Sequence, residues 1–404
     1  MDIWITGIGS ICSAGAGSNA LFNATLKSSI NTRTIKVRSG EEQSNIPVCS
    51  VNDGSLCLPQ FKGINKLDRT AKLAITAANE AWLQSGLNES EIDPDRISVI
   101  AGTSRGPVGK WEETYKRQVS RKVQLPSFAA TGTMAALSGS MSQFLGVTGT
   151  SLTLSSTCSS AASAISVGAG QIVSGSCDAA IVGGAESVIN EAIISVMKSA
   201  GLLGYNENDE KTCKPFDIDR NGLVVGEGAG FLVIESSDHA IKRGAYPLAK
   251  LSGWASGLSQ SGKVGVEESG EGLAKTISNS IIMAQIDPSE INYINAHGTG
   301  TILNDLCESK AFNQIEGLSK VPVSSIKPIT GHCLGASPGL EAVLSVMSLK
   351  ECYLPHTTNL ENPDPQINLN LVKGTSQKVK MNHVLSTSLG FWGNHASILF
   401  SSIS

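Results

Sequence analysis

The chain has 404 residues, of which 41% are hydrophobic and 16% are charged, and its net charge at pH 7 is -4. This length suits two domains or one large layered unit, and the slightly acidic balance argues against nucleic acid as a partner. No apolar run approaches the roughly 18 residues that a membrane span needs. Nine cysteines without a CxxC pair are typical of a reducing compartment, so we expect a cytoplasmic protein that does not enter a membrane.

The first half of the chain alternates strand-like and helix-like segments. Short apolar runs predict strands at Ile3 to Ile8, Ile97 to Ala101, Ser151 to Leu154, Ala179 to Gly183 and Gly230 to Glu235. Helical spacing predicts helices at Leu67 to Ser85, with Gly86 as a C-cap, Met134 to Phe144 and Ala161 to Ser174. This alternation indicates an α/β protein whose central sheet is covered by helices on both faces.

The order of elements begins again near Pro247. Strands are predicted at Ala249 to Gly253, Ile291 to Ala296, Val321 to Ser324, His383 to Ser388 and Ala396 to Phe400. Helices are predicted at Gly272 to Gln285, Asp305 to Phe312 and Pro338 to Leu349. The repeated order suggests an internal duplication, with a boundary between residues 1–245 and 246–404. No linker or low-complexity segment separates the halves, so we expect them to pack as one unit.

Cys158 lies between a predicted strand and a predicted helix that starts in small residues. A strand, turn and helix in this order set the thiol at a helix N-terminus, where unpaired N–H groups and the helix dipole favour a thiolate. Most cysteines of intracellular chains are instead small buried hydrophobic residues. Cys158 therefore indicates a nucleophile only in combination with other groups.

Two histidines stand in glycine-containing turns that follow predicted strands. His297 lies in the run Asn295 to Thr301, at the strand end where open α/β sheets place their ligands. Asp305 and Glu308, three residues apart on the next helix, are placed to orient its imidazole. A turn histidine that is bonded to the backbone is the competing interpretation.

His332 lies in a second turn of this kind, ahead of a helix with Pro338 in its first turn. Lys327 precedes the turn in apolar surroundings, so it needs an acidic partner, and Glu341 on the helix is the candidate. Taken singly, Lys327 and Glu341 fit a structural role better than a catalytic one.

A third glycine-rich turn lies near the C-terminus and contains Gly390, Phe391, Trp392 and Gly393. The two glycines let the backbone turn sharply and offer N–H groups toward a cavity. A hairpin turn with an aromatic side chain packed into the core is the alternative interpretation.

One cysteine and two histidines on such turns form a stronger signal together than any of them alone. The motifs from Cys158 to Phe391, with the segment Pro215 to Gly230 between them, resemble in type and order those of a β-ketoacyl-acyl-carrier-protein synthase of the elongating type I/II, in the thiolase-fold superfamily. The resemblance covers essentially the whole chain. It implies a thiolase-like fold of two duplicated α/β halves packed as a layered α-β-α-β-α unit, with the nucleophile in residues 1–245 and the histidines and gate loop in residues 246–404.

The resemblance implies an acyltransferase, a 3-oxoacyl-[acyl-carrier-protein] synthase, that uses no cofactor and no metal. Cys158 would take an acyl group as a thioester, and the N–H groups of Cys158 and Phe391 would form the oxyanion hole. Malonyl carrier protein would then lose CO2, and its enolate, stabilised by neutral His297 and His332, would attack the acyl group. His297 is also a candidate to activate a water in the decarboxylation. Lys327 is the fourth catalytic residue implied, and it would hold and polarise the His332 side. The supporting residues implied are Glu341, paired with Lys327, and Asp305 with Glu308 on the His297 side.

The acyl gate of the family corresponds to Phe391, which follows Gly390. This chain departs from the usual pattern at Trp392, where the family has glycine, and a bulky neighbour can restrict the movement of the gate or reshape the acyl pocket. The segment Ile193 to Met197, in a region that usually lines the acyl tunnel or the dimer contact, is also atypical. A specialised polyketide or polyene chain is therefore an option beside ordinary fatty acids.

The partner implied by the resemblance is an acyl carrier protein, acyl- or malonyl-loaded, and the expected assembly is a homodimer or a ketosynthase heterodimer. Because the carrier protein is acidic, its docking patch should be basic. The candidate docking residues, which sit where family members carry carrier-binding residues, are Lys62, Lys66, Arg69, Arg121 and Lys122. A solvated charged face is the competing interpretation.

Other members of the superfamily fit the residues less well. A thiolase would carry a second catalytic cysteine, whereas Cys352 lacks a glycine turn and Cys333 follows His332 instead of replacing it. An initiating, type III synthase would carry a His and an Asn in place of the two histidines.

The alternative function is a chain-length-determining partner subunit, weakly active or inactive. Such subunits usually lack the nucleophilic cysteine that is present here, and Trp392 is the one feature in favour of this alternative. A noncatalytic acyl-binding module has no support beyond the pocket itself.

Overall fold

The computed structural model describes residues 2–39, 42–56, 58–260 and 265–403. Its strands are β1 Ile3–Cys12, β2 Gly15–Ala16, β3 Arg33–Ser39, β4 Glu42–Cys49, β5 Ile97–Gly102, β6 Ser151–Leu154, β7 Ala179–Glu186, β8 Val225–Gly226, β9 Gly228–Ser236, β10 Ala249–Leu258, β11 Tyr293–Asn295, β12 Pro322–Ser324, β13 Tyr353–Leu354, β14 Asn370–Leu371, β15 Gln377–Lys378, β16 His383–Leu389 and β17 Asn394–Ser401.

Its α-helices are α1 Ser18–Lys27, α2 Arg69–Ser85, α3 Val108–Val119, α4 Phe128–Thr131, α5 Ala136–Leu145, α6 Ser160–Val173, α7 Glu191–Ser199, α8 Ser237–Lys242, α9 Glu271–Ala284, α10 Ile302–Asn313, α11 Lys327–Thr330 and α12 Ser337–Glu351. No helix in the described part of the chain combines the length and the apolar composition that a membrane crossing requires.

Every strand and helix predicted from the sequence is present, although several extend further than predicted. Gly86 has a φ of 70° and ends α2, as a left-handed C-cap does. Elements outside the predicted set include β3 and α3. Most side chains of β3 are exposed and α3 has no buried residue. Apolar residues nevertheless recur along α3 at helical spacing, at Val108, Trp111, Tyr115 and Val119, so sequence interpretation missed a pattern that is present.

The main sheet contains the same strand pattern twice. The first half runs in the order β1-β9-β7-β5-β6, and the second in the order β10-β17-β16-β11-β12. In each half the first two neighbouring pairs are antiparallel and the last two are parallel. The halves are joined where Ile3, Trp4 and Ile5 of β1 pair with β10. This repeated topology supports the internal duplication that the order of elements suggests.

Three apolar clusters lie between the layers. One cluster lies between the two halves and contains side chains of α6 and α12 together with strands of both halves. A second packs α2 and α5 on the outer face of the first half, and a third packs α9 and α10 on the outer face of the second half. The layers therefore alternate α-β-α-β-α, as predicted, with α6 and α12 as the central layer.

Close backbone contact fixes α12 against the first half. A Cβ atom added to Gly339, in the first turn of α12, would overlap the carbonyl oxygen of Gly230 in β9 and lie 3.2 Å from the Gly184 nitrogen. The reverse substitution at Gly230 would overlap the backbone of Gly339. Because only glycine fits at both positions, helix and strand approach without intervening side chains.

Replacing Gly339 by Ala should therefore destabilise the fold by about 2–3 kcal/mol, since the added methyl group forces backbone shifts in a packed core. Gly170→Ala is the matched control, because Gly170 in α6 has open space around its Cβ position and alanine should add about 0.5–1 kcal/mol there through helix propensity. Urea unfolding of the variants measures both changes. Equal stability of the Gly339→Ala variant and the parent protein would contradict the proposed close packing.

Candidate active site

Three of the four candidate catalytic side chains, Cys158, His297 and His332, stand in turns at the carboxyl ends of strands. Cys158 lies in a 3-10 turn, Thr157–Ser159, between β6 and α6. His297 follows β11, and His332 lies between β12 and α12. Since β6 and β12 occupy equivalent places in the two halves, α6 and α12 begin at the same edge of the central layer. The turn Thr157–Ser159 consequently packs against the turn Leu334–Ala336, just beyond His332.

The imidazoles of His297 and His332 meet edge to face, with ring centroids 5.1 Å apart. Both side chains are buried. Burial and the positive charge of Lys327 hold the pKa of each imidazole well below its usual range, and for His297 the neighbouring His332 acts in the same direction. Both rings are therefore neutral at physiological pH.

Lys327 determines which nitrogen of His297 carries the proton. Its Nζ lies 3.4 Å from His297 Nδ1 and also donates to the His297 backbone carbonyl. Because an ammonium group can only donate, Nδ1 is the acceptor, and the hydrogen-bond network assigns the proton to Nε2. His332 Nδ1 lies 3.1 Å from Ser337 Oγ.

The structure contains the predicted ion pair of Lys327 and Glu341, with Nζ and Oε1 2.5 Å apart. Both side chains are only 1% exposed. The histidine that Lys327 hydrogen-bonds is His297, whereas Lys327 acts on His332 through its charge. The reason is the sheet: β11 and β12 are parallel neighbours, so a side chain just after β12 reaches the loop that follows β11.

Asp305 and Glu308 hold the loop of His297 but do not orient its ring, which corrects the sequence prediction. Glu308 accepts hydrogen bonds from the backbone N–H groups of His297 and Gly298, each at 2.7 Å. Asp305 accepts from the N–H of Thr299 at 3.1 Å. Because α10 begins immediately after this loop, its carboxylates lie beneath the loop backbone. Burial raises the pKa of Glu308 to about 7.

Cys158 is 7% exposed and lies two residues before the start of α6. Burial raises the pKa of its thiol to about 12, an effect that the charge of Lys327 opposes and the charge of Glu186 reinforces. The sequence predicts that the helix N-terminus favours a thiolate. In the folded protein, exclusion of water outweighs that effect, so the resting group is a thiol.

The gate loop touches the turn of Cys158. A Cβ atom on Gly390 would overlap Thr157 Oγ1 and lie 3.0 Å from the Cys158 nitrogen, so only glycine fits there. Within the described part of the chain, the N–H groups of Cys158 and Phe391 have no acceptor. Two free donors therefore border the thiol.

Trp392 does not fill the site. Its side chain is 64% exposed, whereas the neighbouring Phe391 is half-buried. The backbone of Trp392 has a φ of 61°, a left-handed conformation that is uncommon for a residue other than glycine. Trp392 therefore acts on the loop through its backbone and on the outer surface, and does not reshape the interior.

Four of the five predicted docking residues, Lys62, Lys66, Arg121 and Lys122, are exposed. Arg69 is the exception and corrects the prediction. Its guanidinium donates to both carboxylate oxygens of Glu227, at 2.8 and 2.9 Å, and to Asp53 at 2.5 Å. These internal partners occupy its donors, so Arg69 does not form part of a free basic patch.

Glu186 is a site residue that sequence reasoning missed. It is the last residue of β7, it is fully buried, and it accepts hydrogen bonds from residues beside Cys158 and beside His332. The sequence feature that could have identified Glu186 is a carboxylate at the carboxyl end of a predicted buried strand, immediately after a Gly-Gly-Ala run.

The chain matches two family descriptions that together span most of its length. "Beta-ketoacyl synthase, N-terminal domain" matches residues 1–240, and "Beta-ketoacyl synthase, C-terminal domain" matches residues 248–361. A Staphylococcus aureus relative, 3-oxoacyl-[acyl-carrier-protein] synthase 2, is 33% identical over 344 residues, which are 84% of this chain and 85% of the relative.

Two solved structures extend the similarity to the whole fold. The ishigamide ketosynthase/chain length factor has a TM-score of 0.91 at 26% identity, over 100% of this chain and 99% of its own. A type II PKS acyl-carrier protein in complex with its ketosynthase bound to the hexaketide has a TM-score of 0.89 at 26% identity, with the same coverage.

The fold and the family matches together define a condensing enzyme of the acyltransferase type with a thiolase-like fold. The chain belongs to the β-ketoacyl synthase family. The predicted family, fold and enzyme class are thereby confirmed.

Alkylation of Cys158 by iodoacetamide should accelerate about tenfold per pH unit between pH 7 and 9, because the reactive thiolate fraction rises with pH until the pH approaches the raised pKa. Peptide mapping isolates the modification of Cys158 from that of other cysteines, and circular dichroism checks the fold at each pH. A rate that levels off below pH 8 would show that the thiol ionises more easily than its burial implies.

Proposed function

We propose that this protein is a β-ketoacyl synthase that joins an acyl group on Cys158 to the two-carbon unit of malonyl carrier protein. The observation that carries the proposal is the pair of neutral, buried imidazoles, 5.1 Å apart, beside a buried thiol with two free N–H donors. Such a set suits a reaction in which negative charge develops on a carbonyl oxygen.

In the first step, the Cys158 sulfur attacks the thioester carbonyl of an acyl carrier protein. The thiol must lose its proton in this step, because the resting group is protonated. The N–H groups of Cys158 and Phe391 stabilise the tetrahedral oxyanion, after which the carrier thiol leaves and takes up a proton. The acyl group then remains on Cys158 as a thioester.

In the second step, malonyl carrier protein loses CO2, and the electrons of the broken C–C bond form an enolate. The Nε2–H of His297 and the ring N–H of His332 stabilise the enolate oxygen. Burial, reinforced by the charge of Lys327, keeps both imidazoles neutral, and Lys327 is itself balanced by Glu341. The enolate carbon attacks the acyl carbonyl, a C–C bond forms, the C–S bond to Cys158 breaks, and the released thiolate takes up a proton from solvent. His297 is also a candidate to activate a water in the decarboxylation.

The proposed partners follow from the same chemistry. We infer an acyl carrier protein as the donor of both substrates and a homodimer or ketosynthase heterodimer as the assembly. Of the similar solved structures, one is an acyl-carrier protein in complex with its ketosynthase and another is a ketosynthase/chain length factor. The two halves, residues 1–245 and 246–404, act as one unit because α6 and α12 lie between them. The eight cysteines of the described residues are free thiols, which supports a reducing compartment, the cytoplasm.

The second candidate function is a partner subunit that shapes the chain-length cavity. The departure at Trp392 is the observation in its favour, because a bulky residue in a left-handed position limits the freedom of the gate loop. The presence of Cys158, His297, His332 and Lys327 favours the condensing enzyme.

Incubation with a panel of acyl carrier proteins, followed by intact-mass spectrometry, tests the proposal. We expect an added acyl mass on the parent protein, because Cys158 forms a thioester, and no added mass on the Cys158→Ala variant. The panel also ranks acyl chains by length and saturation. A folded parent protein that forms no adduct with any donor would favour the partner-subunit function.

Lys66→Glu and Arg121→Glu should each raise the KM for the carrier protein about fivefold to tenfold, because charge reversal at the rim of an electrostatic interface weakens encounter. The alkylation rate of Cys158 should stay constant. Lys378→Glu reverses an exposed lysine outside the candidate patch and serves as the control. An unchanged KM in both test variants would remove the docking assignment, and Arg69 is left intact because of its internal ion pairs.

A further inference from the structure

The carboxylate of Glu186 connects the two halves of the site. It accepts hydrogen bonds from the Ser104 N–H at 2.6 Å and the Arg105 N–H at 3.0 Å, both in the loop after β5. It also accepts from Thr103 Oγ1 at 3.0 Å. From the opposite half it accepts from the Gly335 N–H at 3.2 Å. One side chain thus forms hydrogen bonds with two loops that lie more than 200 positions apart in the chain.

The contact around Gly335 leaves no room for adjustment. A Cβ atom there would overlap the Ser104 nitrogen and lie 2.9 Å from Glu186 Oε2. Gly335 is three residues beyond His332 and two before Ser337, whose hydroxyl bonds the His332 ring. The position of the Gly335 N–H is therefore coupled to the position of the His332 imidazole.

The same carboxylate borders the nucleophile. Ser104, which donates to Glu186, accepts a hydrogen bond through its carbonyl from the hydroxyl of Ser155, three residues before Cys158. The negative charge of Glu186 also acts on the Cys158 thiol. Glu186 therefore lies between the loop beside the nucleophile and the turn of the histidine.

We propose that Glu186 is a positioning residue, which holds the His332 turn against the loop beside Cys158 and so fixes the distance between nucleophile and histidine. This role deepens the proposed function and rests on it. Glu186 touches no reacting atom in the proposed chemistry, and it acts through the backbone of Ser104, Arg105 and Gly335.

The ionised form of Glu186 is the form that this role requires. Only a carboxylate accepts from four donors without presenting a proton of its own. Burial raises the pKa of Glu186 to about 7, against the lowering effect of these hydrogen bonds. Because the pKa is raised, protonation as the pH falls through about 7 should weaken the connection.

The other ionisable groups around Glu186 do not titrate in this range or lie elsewhere. The pKa of Cys158 is raised to about 12 and that of His332 lies well below its usual range. Arg105 contributes a cation from the loop after β5, and Glu227 bonds Ser187 and Arg69 on the far side of the strand end. Glu308 also has a pKa of about 7 but belongs to the loop of His297.

Glu186→Gln tests the role, with Glu235→Gln as the matched control. Glu235 is likewise fully buried, but it lies on β9 opposite Ala179, at the far end of β7 from Glu186, and bonds Arg243 and His239. Its loss should lower stability without reaching the site. Glu186→Asp keeps the charge on a shorter side chain and provides a second variant if the glutamine protein is poorly folded.

Hydrogen exchange followed by mass spectrometry gives the direct readout. In Glu186→Gln, peptides that contain residues 103–106 and 332–337 should exchange at least about tenfold faster, because an amide cannot accept from all four donors. Glu186→Asp should show a smaller increase in the same peptides. Glu235→Gln should leave these peptides unchanged. Unaltered exchange in Glu186→Gln would overturn the proposal.

The rate of malonyl carrier protein decarboxylation, measured from pH 5.5 to 8.5 at saturating carrier, gives the functional readout. The parent protein should lose activity as the pH falls below about 7. Glu186→Gln should have a kcat lower by about tenfold or more, an unchanged KM, and no such acid limb, since its side chain is neutral throughout. Glu186→Asp should keep the acid limb.

An acid limb that persists in Glu186→Gln would come from Glu308 and would contradict the role of Glu186. Absence of decarboxylation by the parent protein would refute the proposed function, whereas the exchange measurement would still decide the role of Glu186.

Discussion

The structure depends on the packing of two central helices between two copies of one strand pattern. Each helix follows a turn that carries a candidate catalytic group, Cys158 before α6 and His332 before α12. Because Gly230 and Gly339 allow direct backbone contact, α12 is fixed against the first half. The two turns then meet at one edge of the central layer, and an active site forms from groups that are far apart in the chain.

Burial sets the chemical state of the site. Exclusion of water raises the pKa of the Cys158 thiol and lowers the pKa of both imidazoles. The site therefore contains neutral groups around one buried ion pair, Lys327 with Glu341. A buried pair of this kind contributes little net stability. Its value here lies in the charge of Lys327, which adds to the effect of burial on the two imidazole pKa values, and in the contact that assigns the proton of His297 to Nε2.

Buried carboxylates organise the loops more than they organise the reactive side chains. Glu308 and Asp305 bind the backbone N–H groups of the His297 loop, and Glu186 binds those of the loops beside Cys158 and His332. Trp392 stands outside this network, largely in solvent.

The sequence by itself determined the class of fold, the order of elements and the family, and it proposed the candidate catalytic residues, because strand-to-helix turns with Cys, His and Gly leave local patterns. The pairing of Lys327 with Glu341 also followed, since a buried cation needs a counter-charge. Only the tertiary structure decided which histidine Lys327 contacts, that Arg69 is occupied by Glu227, and that Glu186 bridges the halves. These outcomes depend on which strands are neighbours in the sheet and on the depth of each side chain, and no local pattern records either.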